Sequence, residues 1–169
     1  MAEMTSMLEA NERFADGFDA AGLPIPPKRA VAVLTCIDAR LHPEGFLGLE
    51  LGDAHVVRNA GGRATDDAIR SLVISSWLLG TREFVVIHHT GCGMMAFTDD
   101  VLQQMIKDAN GEDVSDMRFE TFSDLEGSVV EDVDRLRNLA ILPEGVTVSG
   151  LVYDVDSGRL REVAPVEPG

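Results

Sequence analysis

The chain has 169 residues, 45% apolar and 25% charged, a size and balance that suit one soluble domain with a real hydrophobic core. Its 29 acidic against 14 basic residues give a net charge of −15, which argues against nucleic acid or an anionic membrane surface as partner, since both select clustered Lys and Arg. No apolar run approaches the roughly 20 residues that span a bilayer, and the acidic start lacks a signal-peptide apolar region, so a cytoplasmic protein is expected.

Taken in order, residues 2–18 predict a weakly amphipathic helix, with Met4, Met7, Leu8, Phe14 and Phe18 on one stripe. The proline-rich stretch up to Pro27 breaks it, making 1–27 an arm and linker that either crosses to a second subunit or packs on its own domain. Residues 30–36 predict a first strand, which runs into Cys36, Asp38 and Arg40 at every second position. If the chain stays extended, these three side chains share one face. A loop or short helix follows, carrying His42. The second strand covers 54–58 and leads into a tight turn, Asn59 to Gly62, whose glycines let backbone approach a neighbour.

Thr65, followed by Asp66 and Asp67, predicts a capped helix running to Gly80, and Thr98 with Asp99 and Asp100 repeats the signature for a helix that Gly111 ends. Those paired acids are therefore expected at helix starts rather than in a hydrolytic site. Between the two helices, Glu83 to His88 is nearly all apolar, as a parallel strand covered on both faces should be. Residues 111–127 lack a clean period and predict an irregular excursion anchored by Met117, Phe119, Phe122 and Leu125. Ser128 with Glu131 predicts a capping box for a helix through Ala140. Two last strands, 146–154 and 159–163, flank a hairpin turn at Asp156 to Gly158.

This order predicts an α/β fold in a single domain over 1–169: a mostly parallel β-sheet with helices on both faces, a C-terminal antiparallel hairpin and the N-terminal helical arm. In such sheets functional groups gather beyond the carboxyl ends of strands. Cys36 ends the first strand, while His89 and Cys92 follow the third. If the first strand lies between the second and third, all three meet. The chain has only two cysteines. A disulfide is not expected in a cytosolic chain, which leaves buried thiols or thiolates acting together. His-x-x-Cys with a distant Cys completes a Cys₂His set, and three protein ligands with one open position describe catalytic zinc. His88 gives a poorer spacing and is expected in the core or behind the ligands. His55 is expected as a satisfied core residue, His42 as a solvated loop residue, and Arg58 in a structural role. Met94, Met95 and Phe97 suit a pocket wall and general packing equally.

Cys36, Asp38 and Arg40, then Arg58 to Gly62, then His89 to Gly93 together resemble the β-class carbonic anhydrases, and the resemblance spans roughly residues 30–100. It implies that Cys36, His89 and Cys92 bind Zn²⁺, that Asp38 and Arg40 form a hydrogen-bonded catalytic dyad, and that Asn59, Ala60, Gly61 and Gly93 line the substrate site. The implied reaction is reversible hydration of CO₂ to bicarbonate by zinc-hydroxide attack, in a homodimer or homotetramer. Family members also hydrolyse carbonyl sulfide or carbon disulfide with the same ligands. Gly91 departs from the pattern, standing where many relatives carry an acid. A different class, a non-catalytic zinc or thiol-redox protein, remains a separate reading and leaves Asp38 and Arg40 without a task.

Overall fold

A computed structural model describes residues 3–168. Its elements are α1 (Glu3–Asp16), β1 (Val31–Cys36), α2 (Pro43–Leu47), β2 (Ala54–Asn59), α3 (Asp66–Leu78), β3 (Glu83–His89), α4 (Asp99–Asn110), α5 (Leu125–Arg137), β4 (Thr147–Tyr153) and β5 (Leu160–Pro168), with single 3₁₀ turns at Ala60–Gly62 and Gly93–Met95. Five strands form one sheet in the order β2-β1-β3-β4-β5. The first four run parallel and β5 returns antiparallel to β4. β1 thus lies between β2 and β3, and the chain order reverses beside it, which is the condition for Cys36, His89 and Cys92 to meet.

The main core joins α3 and α5 to the sheet: Ala68 and Leu72 from α3, and Val129, Val133 and Leu136 from α5, meet Ala32, Leu34, Phe84, Val86, Val148 and Val152. Each of these is almost fully buried, and a buried aliphatic or aromatic side chain contributes about 1.5–3 kcal/mol relative to exposure. Gly150 permits the close approach of α5 to β4, since a Cβ there would sit 2.5 Å from Val129 Cγ1. A smaller cluster gathers Leu41, Phe46 of α2, Tyr153 and Val155 around Cys36, Cys92 and Met94.

Thr65 and Thr98 cap α3 and α4 as expected, accepting from the N–H groups of Ala68 and Val101. Two expectations change. α5 begins at Leu125 rather than Ser128, because the Asp124 carboxylate accepts from Gly127 N and takes the cap. Ser128 is instead buried inside the helix, hydrogen-bonded to Leu125 O and His88 Nδ1. In the acidic excursion, Phe119 and Phe122 are half-buried, but Met117 is exposed and anchors nothing. Of the two readings of the arm, the exposure of α1 favours the one in which it crosses to a second copy: the helix buries no residue, and Met4, Met7, Leu8 and Phe14 are all more than half exposed. Among the described residues no helix is long and apolar enough to cross a membrane.

Candidate metal centre

Because β1 and β3 are parallel neighbours, their carboxyl ends emerge together and deliver Cys36 and His89 to one edge. The turn through Thr90 and Gly91 then brings Cys92 back over β1. The two sulfurs and one imidazole nitrogen lie within 4.8 Å of one another, and all three residues are buried. His89 Nδ1 lies 3.0 Å from Thr90 O, and a carbonyl can only accept, so the ring proton sits on Nδ1. The lone pair is left on Nε2, which is buried and has no hydrogen-bond partner. An orphaned imidazole lone pair aimed between two thiols fits a borderline-soft cation of the zinc type.

One of the two thiols is also prepared for ionisation. Cys36 is drawn down, chiefly by its hydrogen bond with Cys92, against the opposing effect of burial, and with help from neighbouring backbone N–H groups. Cys92 is pushed up by the same pairing with Cys36 and by burial.

Asp38 and Arg40 reach the centre by a route other than the one their spacing suggested. β1 stops at Cys36, and residues 38–41 turn, with Leu41 N donating to Asp38 O at 3.0 Å. The three side chains therefore do not line up on an extended face. The turn instead folds Arg40 back so that its Nε and Nη2 donate to the two oxygens of Asp38 at 2.9 and 2.7 Å, and its own backbone N–H donates to Oδ1. The Arg40 side chain, then its backbone N–H, hold the Asp38 carboxyl well below the usual carboxylate range. Nη2 also donates to Gly91 O at 2.9 Å, which ties the dyad to the loop between His89 and Cys92. Gly91 thus acts through its carbonyl, an interaction its sequence gave no hint of. Asp38 Oδ2 lies 3.7 Å from His89 Nε2.

Arg58 is structural, though not through an ion pair: it donates to the carbonyls of Cys36 and Asp38 at 2.9 and 2.8 Å and so fixes the chain between them. A cavity of about 270 Å³ opens onto Cys36, Asp38 and Cys92, walled by Ile37, Ala60, Gly61, Gly93, Met94 and Phe97. Asn59 is not in that wall; its amide turns back to donate to Arg63 O at 2.7 Å. Ile37 is a wall residue that sequence reasoning missed, because strict alternation would have put it on the opposite face from Cys36. His55 is half-buried with Nδ1 2.6 Å from Ser75 Oγ, and His42 is exposed.

Comparison with known proteins decides the family. The carbonic anhydrase family model matches residues 31–160. This chain belongs to the β-carbonic anhydrase family. It is 42% identical over 158 residues to β-carbonic anhydrase 1 of Mycobacterium tuberculosis, covering 94% of this chain and 96% of that one. It is also 36% identical to a carbon disulfide hydrolase of Saccharolobus solfataricus, over 82% of this chain and 79% of the relative. The 1.4 Å crystal structure of carbonic anhydrase from Streptococcus mutans superposes with a TM-score of 0.92 at 49% identity, covering 96% of this chain and 98% of the other. The β-carbonic anhydrase fold accounts for the strand order, and the residues that carried the resemblance, Cys36 to Arg40 and His89 to Gly93, lie together at its strand ends.

Proposed function

We propose that this chain holds one zinc ion through Cys36, His89 and Cys92 and interconverts CO₂ and bicarbonate. The single observation that carries the proposal is the buried Cys₂His cluster with its partnerless Nε2 lone pair, beside a carboxylate clamped by arginine. Zinc held there would supply the Lewis acidity that makes water a nucleophile near neutral pH.

The protein's own groups do the aiming. Asp38 is anionic and has lone pairs free of Arg40, so it accepts a hydrogen bond from the attacking water and orients it toward carbon. Arg40 keeps Asp38 ionised and directed by charge-assisted bonds. The apolar side chains of Ile37, Met94 and Phe97 receive a linear, non-polar substrate, and Ala60, Gly61 and Gly93 bring backbone up to it. Asn59 acts from behind by fixing the turn. Stopped-flow CO₂ hydration on protein of measured zinc content tests the proposal. Turnover that does not scale with zinc overturns it.

A second reading is supported by the apolar cavity wall and by the carbon disulfide hydrolase relatives: carbonyl sulfide or carbon disulfide hydrolysed on the same centre. A thiol-redox role gains nothing from the clamped Asp38. We further propose that the protein works in the cytoplasm, where the thiols stay reduced. The exposed apolar stripe of α1 supports a homodimer, or a tetramer of such dimers, in which the arm lies across a second copy.

A further inference from the structure

A buried charged network lies on the far side of the Asn59–Arg63 turn from the metal centre, and none of its side chains faces the cavity. Arg63 is 4% exposed, Asp132 1% and His88 0%. Arg63 Nε stands 3.2 Å from Asp132 Oδ2, and Arg63 Nη2 donates to Glu131 Oε2 at 2.7 Å. His88 Nε2 faces both Asp132 Oδ2 and Gly62 O at 3.2 Å, while its Nδ1 pairs with Ser128 Oγ at 2.8 Å. Phe122 closes the group, stacked on His88 and lying under the Arg63 guanidinium at 5.5 Å.

Stability alone is a poor reason for such a network. A buried ion pair gains little over well-packed apolar residues of the same volume, because desolvation offsets the attraction. What it does supply is fixed geometry. Gly62 is held by its carbonyl and Arg63 by its side chain, both from β3 and α5. On the other side of the same turn, Gly61 walls the cavity beside Cys36 and Cys92. Gly62 itself lies so close to β1 that a Cβ would be 2.9 Å from Thr35 C. The turn is therefore gripped between the Cys36 backbone and the charged network.

We propose that Arg63, Asp132 and His88 are positioning residues, which seat the Asn59–Arg63 turn against the backbone of Cys36 and so fix where that ligand's sulfur sits. A ligand held in place by its surroundings meets its metal with little rearrangement. Groups of this kind, one step removed from the ligands, typically change metal retention by about 10- to 100-fold when altered.

The inference rests on the metal reading above, and the test separates the two. Wild-type protein is loaded with Co²⁺, and the thiolate-to-cobalt charge-transfer band and the rate of metal release to a chelator are recorded. No charge-transfer band in the wild type is a failure of the metal reading. The same measurements follow on Asp132→Asn, on the apolar pair Arg63→Met with Asp132→Leu, and on Glu131→Gln, whose carboxylate lies at the surface and whose loss leaves the core intact. In variants that fold, the band should shift from its wild-type energy and release should be about 10- to 100-fold faster, with Glu131→Gln smallest. Thermal unfolding is followed in parallel. Variants that shift in unfolding temperature while band and release rate match the wild type show a purely structural network and overturn the proposal.

Discussion

Arg40 meets Asp38 edge-on: two side-chain nitrogens take the two carboxylate oxygens at 2.9 and 2.7 Å, across a turn that also brings in the Arg40 backbone N–H. A fork of this kind leaves the carboxylate no freedom to rotate toward the neighbouring cysteines. Asp38→Ala is expected to keep about one metal ion per chain, because the ligand set is untouched, and to lose at least about 10²-fold in kcat. Arg40→Lys keeps the charge but not the fork, and should fall between Asp38→Ala and wild type. Stopped-flow hydration with metal analysis on each variant checks both, and wild-type turnover by Asp38→Ala would remove the dyad from the chemistry.

Cys36→Ser replaces a soft thiolate with a hydroxyl that is a poor zinc ligand near neutral pH. The variant should bind less than a tenth of the metal retained by wild type after dialysis against a weak chelator, about 1.4 kcal/mol or more in affinity. Full retention would mean that the buried cluster is not the metal site. Two freely reactive thiols and no metal in the wild type would instead favour the redox account.

Much of this centre was legible in the sequence because parallel strands are written as plain apolar runs. β1 and β3 end close to where those runs end, and Cys36 meets His89 once β1 lies between β2 and β3, an order the runs by themselves do not dictate. The closeness of Asp38 and Arg40 was also foreseen, but for the wrong reason: alternation was assumed where the chain turns. The start of α5 was misread because two polar residues competed for one cap, and only packing shows that Ser128 belongs to the buried face. The Arg63, Asp132 and His88 network could not be found at all. It depends on which helix crosses which strand, and no local pattern records that.

Asp99 illustrates the same limit. Its place in the first turn of α4 was expected, but its carboxylate also accepts from Phe119 N at 2.8 Å, Thr121 N at 3.2 Å and Thr121 Oγ1 at 2.6 Å. Burial pushes the Asp99 carboxyl up, yet the Thr121 hydroxyl and the N–H groups of Phe119, Thr121 and Glu120 outweigh it, leaving a net lowering. A lowered folded pKa stabilises the fold above the unfolded value of about 3.9, and that contribution fades as pH falls through the folded value. Asp99→Asn should therefore be less stable than wild type at pH 7, with the gap closing in acid. Urea unfolding of both metal-free proteins at pH 7 and at about pH 3 checks this. A gap that persists unchanged in acid would assign the effect to shape rather than charge.

Gly62 combines a left-handed φ of 72° with a Cβ position 2.9 Å from Thr35 C and 3.0 Å from Cys36 N. Neither atom belongs to a flexible side chain, so β1 or the turn must move. Gly62→Ala should cost about 2–4 kcal/mol, from the left-handed backbone and the steric clash together. Because the displaced backbone includes that of Cys36, metal retention should fall with stability. Denaturant unfolding and metal analysis measure the two, and a loss of stability with metal retention untouched would separate the turn from the centre.

The arm supplies a test of assembly. Met4, Met7, Leu8 and Phe14 of α1 are between 58% and 70% exposed, a stripe that gains nothing from water. If it lies on a second copy, Leu8→Glu with Phe14→Glu removes apolar contact and buries charge at the interface. The wild type should run as a dimer or larger by light scattering and the double variant as a smaller species, with the circular dichroism of the sheet unchanged. A monomeric wild type would leave the stripe without its proposed occupant.

Substrate choice turns on the cavity wall rather than on the ligands. Ile37, Met94 and Phe97 offer no hydrogen bond, so CO₂, carbonyl sulfide and carbon disulfide are all admitted by polarity, and size must discriminate. Sulfur is larger than oxygen, so carbon disulfide needs more room within the wall of Ile37, Met94 and Phe97. Wild type should hydrate CO₂ faster than it hydrolyses carbon disulfide. Phe97→Ala, by enlarging the cavity, should raise the carbon disulfide rate relative to CO₂ by several-fold, since about 1 kcal/mol of relieved overlap is about a five-fold change in rate. Side-by-side kcat/KM values on zinc-loaded protein decide it. A ratio unmoved by Phe97→Ala would place discrimination nearer the metal, at the Asp38 carboxylate and the Gly61 and Gly93 backbone.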